Sequence, residues 1–288
     1  SDNRSNISYF LEHNVLLRRF TLSVGVLANY NSALNEGIHF YPGIDASYRI
    51  GDNFRLYGSW NRALRMPTFT DLYYEGKTNK GNPDLKPEES EAFEVGLKYN
   101  TYFLRAHIAG FYRKGKNMID WVKEKPEDIW ESQNLTKVDN LGFETNLSLL
   151  PRELGNERFF IRKIELGYAF IHQDKDSEGY ISNYALDYLK HKFTAQLSHS
   201  IWKGFSATWY VRWQDRAGSY TKYENLKPAY EEPYAPYCLV DMKVNWEYQR
   251  LNLYAELNNL LNSTYYDLGN IPQPGIWFKA GFRYSFKY

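Results

Sequence analysis

The sequence predicts an all-β fold, an antiparallel up-and-down transmembrane β-barrel of which this chain carries about thirteen strands. Three features point there: most strand-like stretches are apolar at alternate residues, they run to about ten residues, and the links between them are short and long in turn. Strand side chains point to opposite faces, so this alternation makes one greasy face and one polar face. About ten residues match a tilted crossing of a bilayer, whereas a globular strand averages about five or six. Short turns at one rim and longer loops at the other belong to up-and-down barrels. A soluble sandwich would share the periodicity, with its apolar faces packed together. Strand length and the rhythm of the links favour the barrel.

Residues 7–13 and 20–30 read as a hairpin turning near Asn14, with Leu22, Val24, Val26 and Ala28 on one face of its second strand. A polar link over 31–39 leads to a strand at 44–50, and the tight turn Gly51-Asp52-Asn53 returns the chain through 54–61. The loop from about 63 to 90 holds Pro67, Pro83 and Pro87, which oppose regular pairing. Strands at 91–99 and 104–113 flank Asn100-Thr101, and a long link over 114–137 precedes strands at 140–149 and 163–173. After a loop over 172–189, residues 192–201 and 205–214 form the clearest hairpin, turning at Lys203-Gly204. A proline- and tyrosine-rich loop, 215–236, leads to strands at 238–248 and 251–258, and a loop over 259–274 leads to the closing strand. That strand carries Ile276, Phe278, Ala280, Phe282, Tyr284, Phe286 and Tyr288 on one side and Trp277, Lys279, Gly281, Arg283, Ser285 and Lys287 on the other.

If the closing strand ends at the periplasmic rim, the links around Asn35, Asn79, Glu127, Asp176, Tyr223 and Leu268 are extracellular. The turns near Asn14, Asp52, Thr101, Gly155, Gly204 and Gln249 then face the periplasm. Thirteen is odd, and a closed antiparallel barrel of one bacterial chain needs an even count. Further strands are therefore expected outside this chain.

Composition agrees. A formal net charge of +1 argues against a strongly basic nucleic-acid surface. Tyrosine, phenylalanine and tryptophan make up 18% of the residues, an excess that suits girdles at two membrane interfaces. Cys238 stands alone at an apolar strand position and reads as a small hydrophobe. No apolar run is long enough for a transmembrane helix, and no signal peptide stands at Ser1, which places the natural start upstream or the signal already removed. The six histidines show no zinc spacing, and the sequons at Asn134 and Asn262 occur at chance level. Asp174, Asp176 and Glu178 alternate in an expected outer loop and offer oxygen ligands for calcium, without the glycine turn or the terminal acid of an EF-hand. A solvated acidic loop is the plainer reading. No cofactor is expected.

The stretch from Asn61 through Arg65, Pro67, Asp71, Leu72 and Tyr73, then Gly81, Asn82, Pro83, Leu85, Pro87 and Glu88, then Glu94 and Gly96, resembles the barrel signature of TonB-dependent outer-membrane receptors. Asn258-Asn259-Leu260-Leu261-Asn262, Tyr265 and Pro274-Gly275 before an aromatic-ended strand are similar to the same family's C-terminus. Ile276 departs from the arginine common after that Pro-Gly, and Tyr288 replaces the commoner phenylalanine. The resemblance implies a Gram-negative outer-membrane transporter of about 22 strands with a plugged lumen. Residues 1–288 would be its C-terminal barrel portion, with the plug and the energy-coupling box before Ser1. Its implied partners are outer-membrane lipid, a small nutrient ligand and the inner-membrane protein TonB, the last reached through the missing N-terminal part. Among family members the chain is most similar to cobalamin and siderophore receptors, with a lean towards cobalamin.

The residues carry their own meaning beside the resemblance. Arg65 lies where pairing stops and Glu88, Glu89, Glu91 and Glu94 where it resumes, so an arginine–carboxylate network is expected to pin the long loop to the wall. Tyr73, Tyr74, Trp130, Tyr180, Tyr184, Tyr220, Tyr223 and Tyr230 fall in expected outer loops, where flat amphipathic rings suit contact with a bulky ligand or membership of the interface girdle. Three functions follow for comparison: uptake of a scarce nutrient, a passive pore or binding module without a plug, and a barrel enzyme. The last needs a nucleophile beside a histidine and a carboxylate; His172 and Asp174 stand close, but no nucleophile is singled out.

Overall fold

The computed structural model describes residues 4–32, 37–125, 127–155, 158–176, 179–182, 188–224, 227–269 and 271–286. In chain order its elements are β1 (Asn6–Leu16), β2 (Phe20–Asn31), β3 (Ile38–Ile50), β4 (Phe54–Arg65), helix α1 (Phe69–Tyr73), β5 (Asn79–Lys80), β6 (Glu88–Asn100), β7 (Leu104–Lys123) and β8 (Trp130–Leu149). A short 3-10 turn (Pro151–Leu154) precedes β9 (Ile161–Asp176), β10 (Ile181–Ser182), β11 (Leu189–Ser200), β12 (Phe205–Arg216), β13 (Ser219–Glu224) and β14 (Lys227–Pro233). The chain ends through β15 (Tyr237–Tyr248), β16 (Leu251–Asn258), β17 (Tyr266–Leu268), β18 (Ile271–Pro272) and β19 (Trp277–Tyr284).

Thirteen strands follow one hydrogen-bonded path, β1-β2-β3-β4-β6-β7-β8-β9-β11-β12-β15-β16-β19, with β5 and β10 paired to β8 and β7 beside it. The hairpins β13–β14 and β17–β18 form small sheets of their own. The registers along the main path are antiparallel, while the two-residue β5 beside it pairs with β8 in parallel. By contacts the chain divides into two compact units, one of 1–98, 109–143 and 172–186, the other of 99–108, 144–171 and 187–288.

Within the first unit, the register lines up Leu11 with Val26 and Pro42, and His13 with Val24, Ile44 and Trp60, on one face. The other face aligns Ser8 with Asn29, and Glu12 with Gly25, Gly43 and Asn61. Its polar side chains bond across strands: Ser23 donates to Glu12 at 2.7 Å, Asn29 to Ser8 at 2.8 Å, and the Thr21 and Ser47 hydroxyls stand 2.6 Å apart. Within the second unit, Phe205, Trp246, Leu253 and Phe282 align on the apolar face. On its polar face Glu256 joins Lys243 and Lys279 at 2.7 and 2.5 Å. Val95 is 62% exposed and Phe282 74%, so these apolar side chains do not pack into a protein core. Backbone pairing within the sheet and an apolar face turned to hydrocarbon are the arrangement a membrane-crossing strand requires. No described helix is long and apolar enough to cross a membrane.

Several boundaries differ from those expected. The link over 114–137 is largely strand: β7 and β8 each run 20 residues, more than the 9–11 or so a bilayer crossing needs, so they extend past the membrane as a paired ribbon. Asn117 has a positive φ of 52° within β7, and the strand absorbs it. The first turn lies at 17–19 because Asn14 pairs with Ser23 inside the hairpin. β3 begins six residues before the expected position and runs through Pro42. Pairing with β4 stops at Gly43, next to that proline, which has no N–H to donate. Asp174 and Asp176 belong to β9 and not to a loop.

A cation placed on the apolar face tests the assignment. Leu253→Arg should cost about 2–4 kcal/mol of folding stability in lipid vesicles if the residue sits near the bilayer midplane, while Asn252→Ala on the opposite face should change it little. Urea titration of the vesicle-inserted protein reads both.

Candidate functional site

The long loop after β4 is fastened to the wall by a compact set of contacts, all in the first unit. Arg65 at the end of β4 meets Glu88 at the start of β6 through two hydrogen bonds, Nε to Oε2 at 2.5 Å and Nη2 to Oε1 at 2.6 Å. A planar guanidinium fits a carboxylate in this two-pronged way. Glu88 is buried, and its Oε1 also accepts the backbone N–H of Ile119 at 2.8 Å, so a single carboxylate ties β4 and β7 together. The neighbouring carboxylates take other partners: Glu91 accepts from Trp60, Glu94 from Tyr57, and Glu89 faces Arg62 at 3.6 Å.

Between these anchors the sequence makes a short helix. Thr68 and Asp71 form a capping box, with Asp71 Oδ2 accepting from the Thr68 N–H at 3.0 Å and Thr68 Oγ1 accepting from the Asp71 N–H at 3.1 Å. The Asp71 carbonyl then accepts from the Asn82 N–H at 2.9 Å and from Ser132 Oγ at 2.5 Å, which docks the helix on β8. Gly81 passes so close that a Cβ there would stand 2.8 Å from the backbone of Leu72 and Tyr73. Leu72 and Leu85 are buried, Asn82 closes a turn by accepting the Asp84 N–H at 2.9 Å across Pro83, and Pro87 leads into β6. The Pro67 carbonyl accepts from Arg4 at 2.7 Å. Asn134 completes the dock: it accepts from the Lys86 N–H and donates to the carbonyls of Lys86 and Asn117.

Glu94 and Gly96 serve the wall. The Tyr57 ring lies over Gly96, where a Cβ would come within 2.5 Å of it, and its hydroxyl donates to Glu94 at 2.7 Å. In the second unit the Asn259–Asn262 segment forms an equivalent latch. Asn259 donates to the carbonyls of Ser263 and Pro274, and Asn262 Oδ1 accepts the Ile276 N–H at 3.0 Å. Both asparagines adopt positive φ, 52° and 49°, which their side chains tolerate.

The aromatic candidates separate into distinct environments. Tyr73 and Tyr74 are exposed on α1 and just after it, Tyr73 stacked on Phe69 and Tyr74 edge-on to Trp121. Trp130 opens β8 with the Lys123 ammonium 4.5 Å over its ring, and Tyr180 lines a hollow with Val122 and Glu131. Tyr223 and Tyr230 project from the β13–β14 hairpin, whereas Tyr220 is buried between Tyr234 and Tyr266. Tyr220 thus joins the β13–β14 and β17–β18 hairpins to each other. Its hydroxyl donates to Glu232 at 3.0 Å, and Lys222 reaches the same carboxylate at 3.0 Å. Tyr184 and Glu178 lie outside the described residues, as does the side chain of Asp176. Asp174 stands 3.7 Å from Lys137, and among the described residues no cluster of three His, Cys, Asp or Glu is placed to hold a metal.

Sequence spacing did not mark Ser132, Asn134, Tyr57 or Tyr234, since each acts on a residue that only strand register brings near.

Two predictions follow from this geometry. Gly81→Ala should destabilise the 66–87 segment by about 1–3 kcal/mol, because backbone and not a movable side chain blocks the new methyl. Glu88→Gln should loosen the same segment by about 1 kcal/mol, a modest figure because Arg65 is half exposed. Limited proteolysis within 74–87 measures both. In the β13–β14 hairpin, hydrogen bonds from Lys222 and then Tyr220 hold the Glu232 carboxyl below its ordinary value near 4.5. A depressed folded value means the hairpin gains stability above the ordinary value and loses it as pH falls through the folded one. Protection of the amides in 219–233, taken relative to their intrinsic exchange rate at each pH, should therefore fall below about pH 4.5 and lose that dependence in Glu232→Gln.

Residues 1–260 match the family described as TonB dependent receptor-like, beta-barrel. The vitamin B12 transporter BtuB of Vibrio vulnificus is 26% identical over 224 residues, covering 58% of this chain and 36% of its own length. The ferrienterobactin receptor of Escherichia coli is 22% identical over 297 residues, covering 93% of this chain and 38% of its own. Among solved structures, the ferric enterobactin receptor PfeA of Pseudomonas aeruginosa superposes with a TM-score of 0.75 at 20% identity, over 98% of this chain and 46% of that one. The FrpB iron transporter of Neisseria meningitidis gives 0.74 at 17%, over 98% and 45%. The chain therefore spans less than half the length of each, and these relatives are transporters and receptors, not enzymes. A two-faced antiparallel sheet with its signature loop docked on the wall, matched over most of its length, makes this chain a member of the TonB-dependent receptor family.

Proposed function

We propose that residues 1–288 are the C-terminal portion of a receptor barrel in the outer membrane of a Gram-negative bacterium, which takes up cobalamin or a ferric siderophore. The two-faced sheet carries this reading: an exposed apolar face suits outer-membrane lipid, and a hydrogen-bonded polar face suits the wall of a lumen. The path of thirteen strands is odd, so antiparallel closure calls for further strands, and a barrel of about 22 would supply nine. Family membership supports a plug and a TonB-contacting segment in the rest of the protein. The named relatives support the two ligand classes, vitamin B12 in one and ferric enterobactin in the other.

In this reading the docked α1 loop holds exposed Tyr73 and Tyr74 in the first unit, and the packed hairpin holds exposed Tyr223 and Tyr230 in the second, each pair on its own support for ligand capture. Rigid support lowers the ordering cost of binding. Deleting the gene and following uptake of labelled cyanocobalamin and of siderophore-bound iron by whole cells tests it. One of the two should fall to background in the deletion strain and equally in a strain lacking TonB. Unchanged uptake of both would count against the receptor role.

A further inference from the structure

The rim of short turns in the second unit has one enlarged link, 150–160 between β8 and β9, where the links 101–103, 201–204 and 249–250 are tight turns. It holds the 3-10 turn Pro151–Leu154, which ends at Gly155 with a φ of 102°, and the aromatic pair Phe159–Phe160. Two arginines converge beside it. Arg152 Nη2 donates to Ser200 Oγ at 2.6 Å and its Nε to the Phe159 carbonyl at 2.9 Å, while Arg162 Nε donates to the same Ser200 Oγ at 2.8 Å.

A bulge brings Arg162 there. Lys163 pairs with Ser198 and Ile161 with His199, so Arg162 is the extra residue of β9 and its side chain is re-aimed. Neither guanidinium forms an ion pair among the described residues, and Lys163 is already taken by Glu165 at 2.8 Å. Two like charges held on one neutral hydroxyl repel each other, and the serine oxygen offsets neither. The pair is short of an anion.

Apolar surface frames the two cations. Ile201 continues the alternate apolar positions Phe193, Ala195 and Leu197 of β11, and it is exposed together with Leu154, Phe160 and Trp202. Trp202 is 65% exposed, with the Lys203 ammonium 4.6 Å over its ring, a pairing suited to a membrane–water interface. β8, β9 and β11 are inner strands of the main path, so this exposure is not that of a sheet edge. Ser200 is the last residue of β11 and the 3-10 turn lies beyond the end of β8, which places the guanidiniums at the rim, past the ladder that separates the two faces.

We propose that this turn is a headgroup site for an anionic phospholipid, whose phosphodiester bridges Arg152 and Arg162 while its acyl chains lie along Ile201 and the apolar face of β11. A guanidinium fork matches phosphate oxygens, and apolar surface continuous with the cations selects a lipid over a free anion. The site rests on the membrane reading of the sheet and is independent of the nutrient carried.

Native mass spectrometry of the full-length protein in a neutral detergent, titrated with phosphatidylglycerol or phosphatidylcholine, provides the test. Phosphatidylglycerol should bind saturably and at least about fivefold more tightly than phosphatidylcholine, and weaken about tenfold in the double variant Arg152→Gln, Arg162→Gln. Ser200→Ala, which keeps both charges but releases them from their shared anchor, should weaken it less. Arg250→Gln, at another turn of the same rim, should leave it unchanged, and all variants should keep the heat-modifiable mobility of a folded barrel. Equal binding of the two lipids, or phosphatidylglycerol binding that survives the double substitution, overturns the site and leaves the receptor reading standing. Displacement of phosphatidylglycerol by millimolar inorganic phosphate overturns the lipid assignment in favour of a free-anion site. A wild-type protein that retains no phosphatidylglycerol overturns it as well, the arginines then being held by a carboxylate elsewhere in the protein, and leaves the receptor reading to the uptake measurement.

Discussion

A backbone that crosses hydrocarbon has to satisfy its own N–H and C=O groups, because lipid supplies no partners. The inner strands of the thirteen-strand path meet that constraint by pairing on both sides, and much of the remaining structure follows from it. Once the ladder is fixed, alternate side chains are sorted onto two faces with opposite needs. The apolar face can stay exposed, as Val95 and Phe282 do, while the polar face must compensate itself through cross-strand bonds such as Ser23–Glu12 and Lys243–Glu256–Lys279. Where the ladder stops, side chains take over the same duty. Glu88 holds the Ile119 amide, Asn134 holds Lys86, and Asn262 holds Ile276, each at an irregular backbone segment.

Glycine and tyrosine solve a second problem in both units. Tyr57 covers Gly96 and Tyr254 covers Gly281, each ring lying where a Cβ would otherwise be. A ring over a strand glycine shields its backbone and pins the register of the two strands. A lysine stands over each ring in turn, Lys98 over Tyr57 and Lys243 over Tyr254. The wall is thereby stiffened on its polar side without an apolar core.

Much of this was legible in the sequence because the governing signals are local. Period-two alternation and turn residues gave the strands of the main path, and Arg65 and Glu88 stood out because each sits where pairing stops or resumes. Boundaries were harder. Nothing in 114–137 says that β7 and β8 outrun the bilayer, since a ribbon above the membrane has no need of alternation. Tyr220 looked like Tyr223 and Tyr230 in a proline-rich loop, yet hairpin packing buries it and leaves the other two exposed.

The whole arrangement turns on one face of this sheet meeting lipid and the other water. Spin labels placed singly at 251–254 and 280–283, in a Cys238→Ser background within bilayers, report it through collisions with oxygen, which concentrates in lipid, or with a water-soluble nickel chelate. A two-faced sheet requires a strict two-residue alternation, with labels at Leu253 and Phe282 relaxed by oxygen and labels at Asn252 and Arg283 by the chelate. Equal access of the chelate to both sets would contradict it.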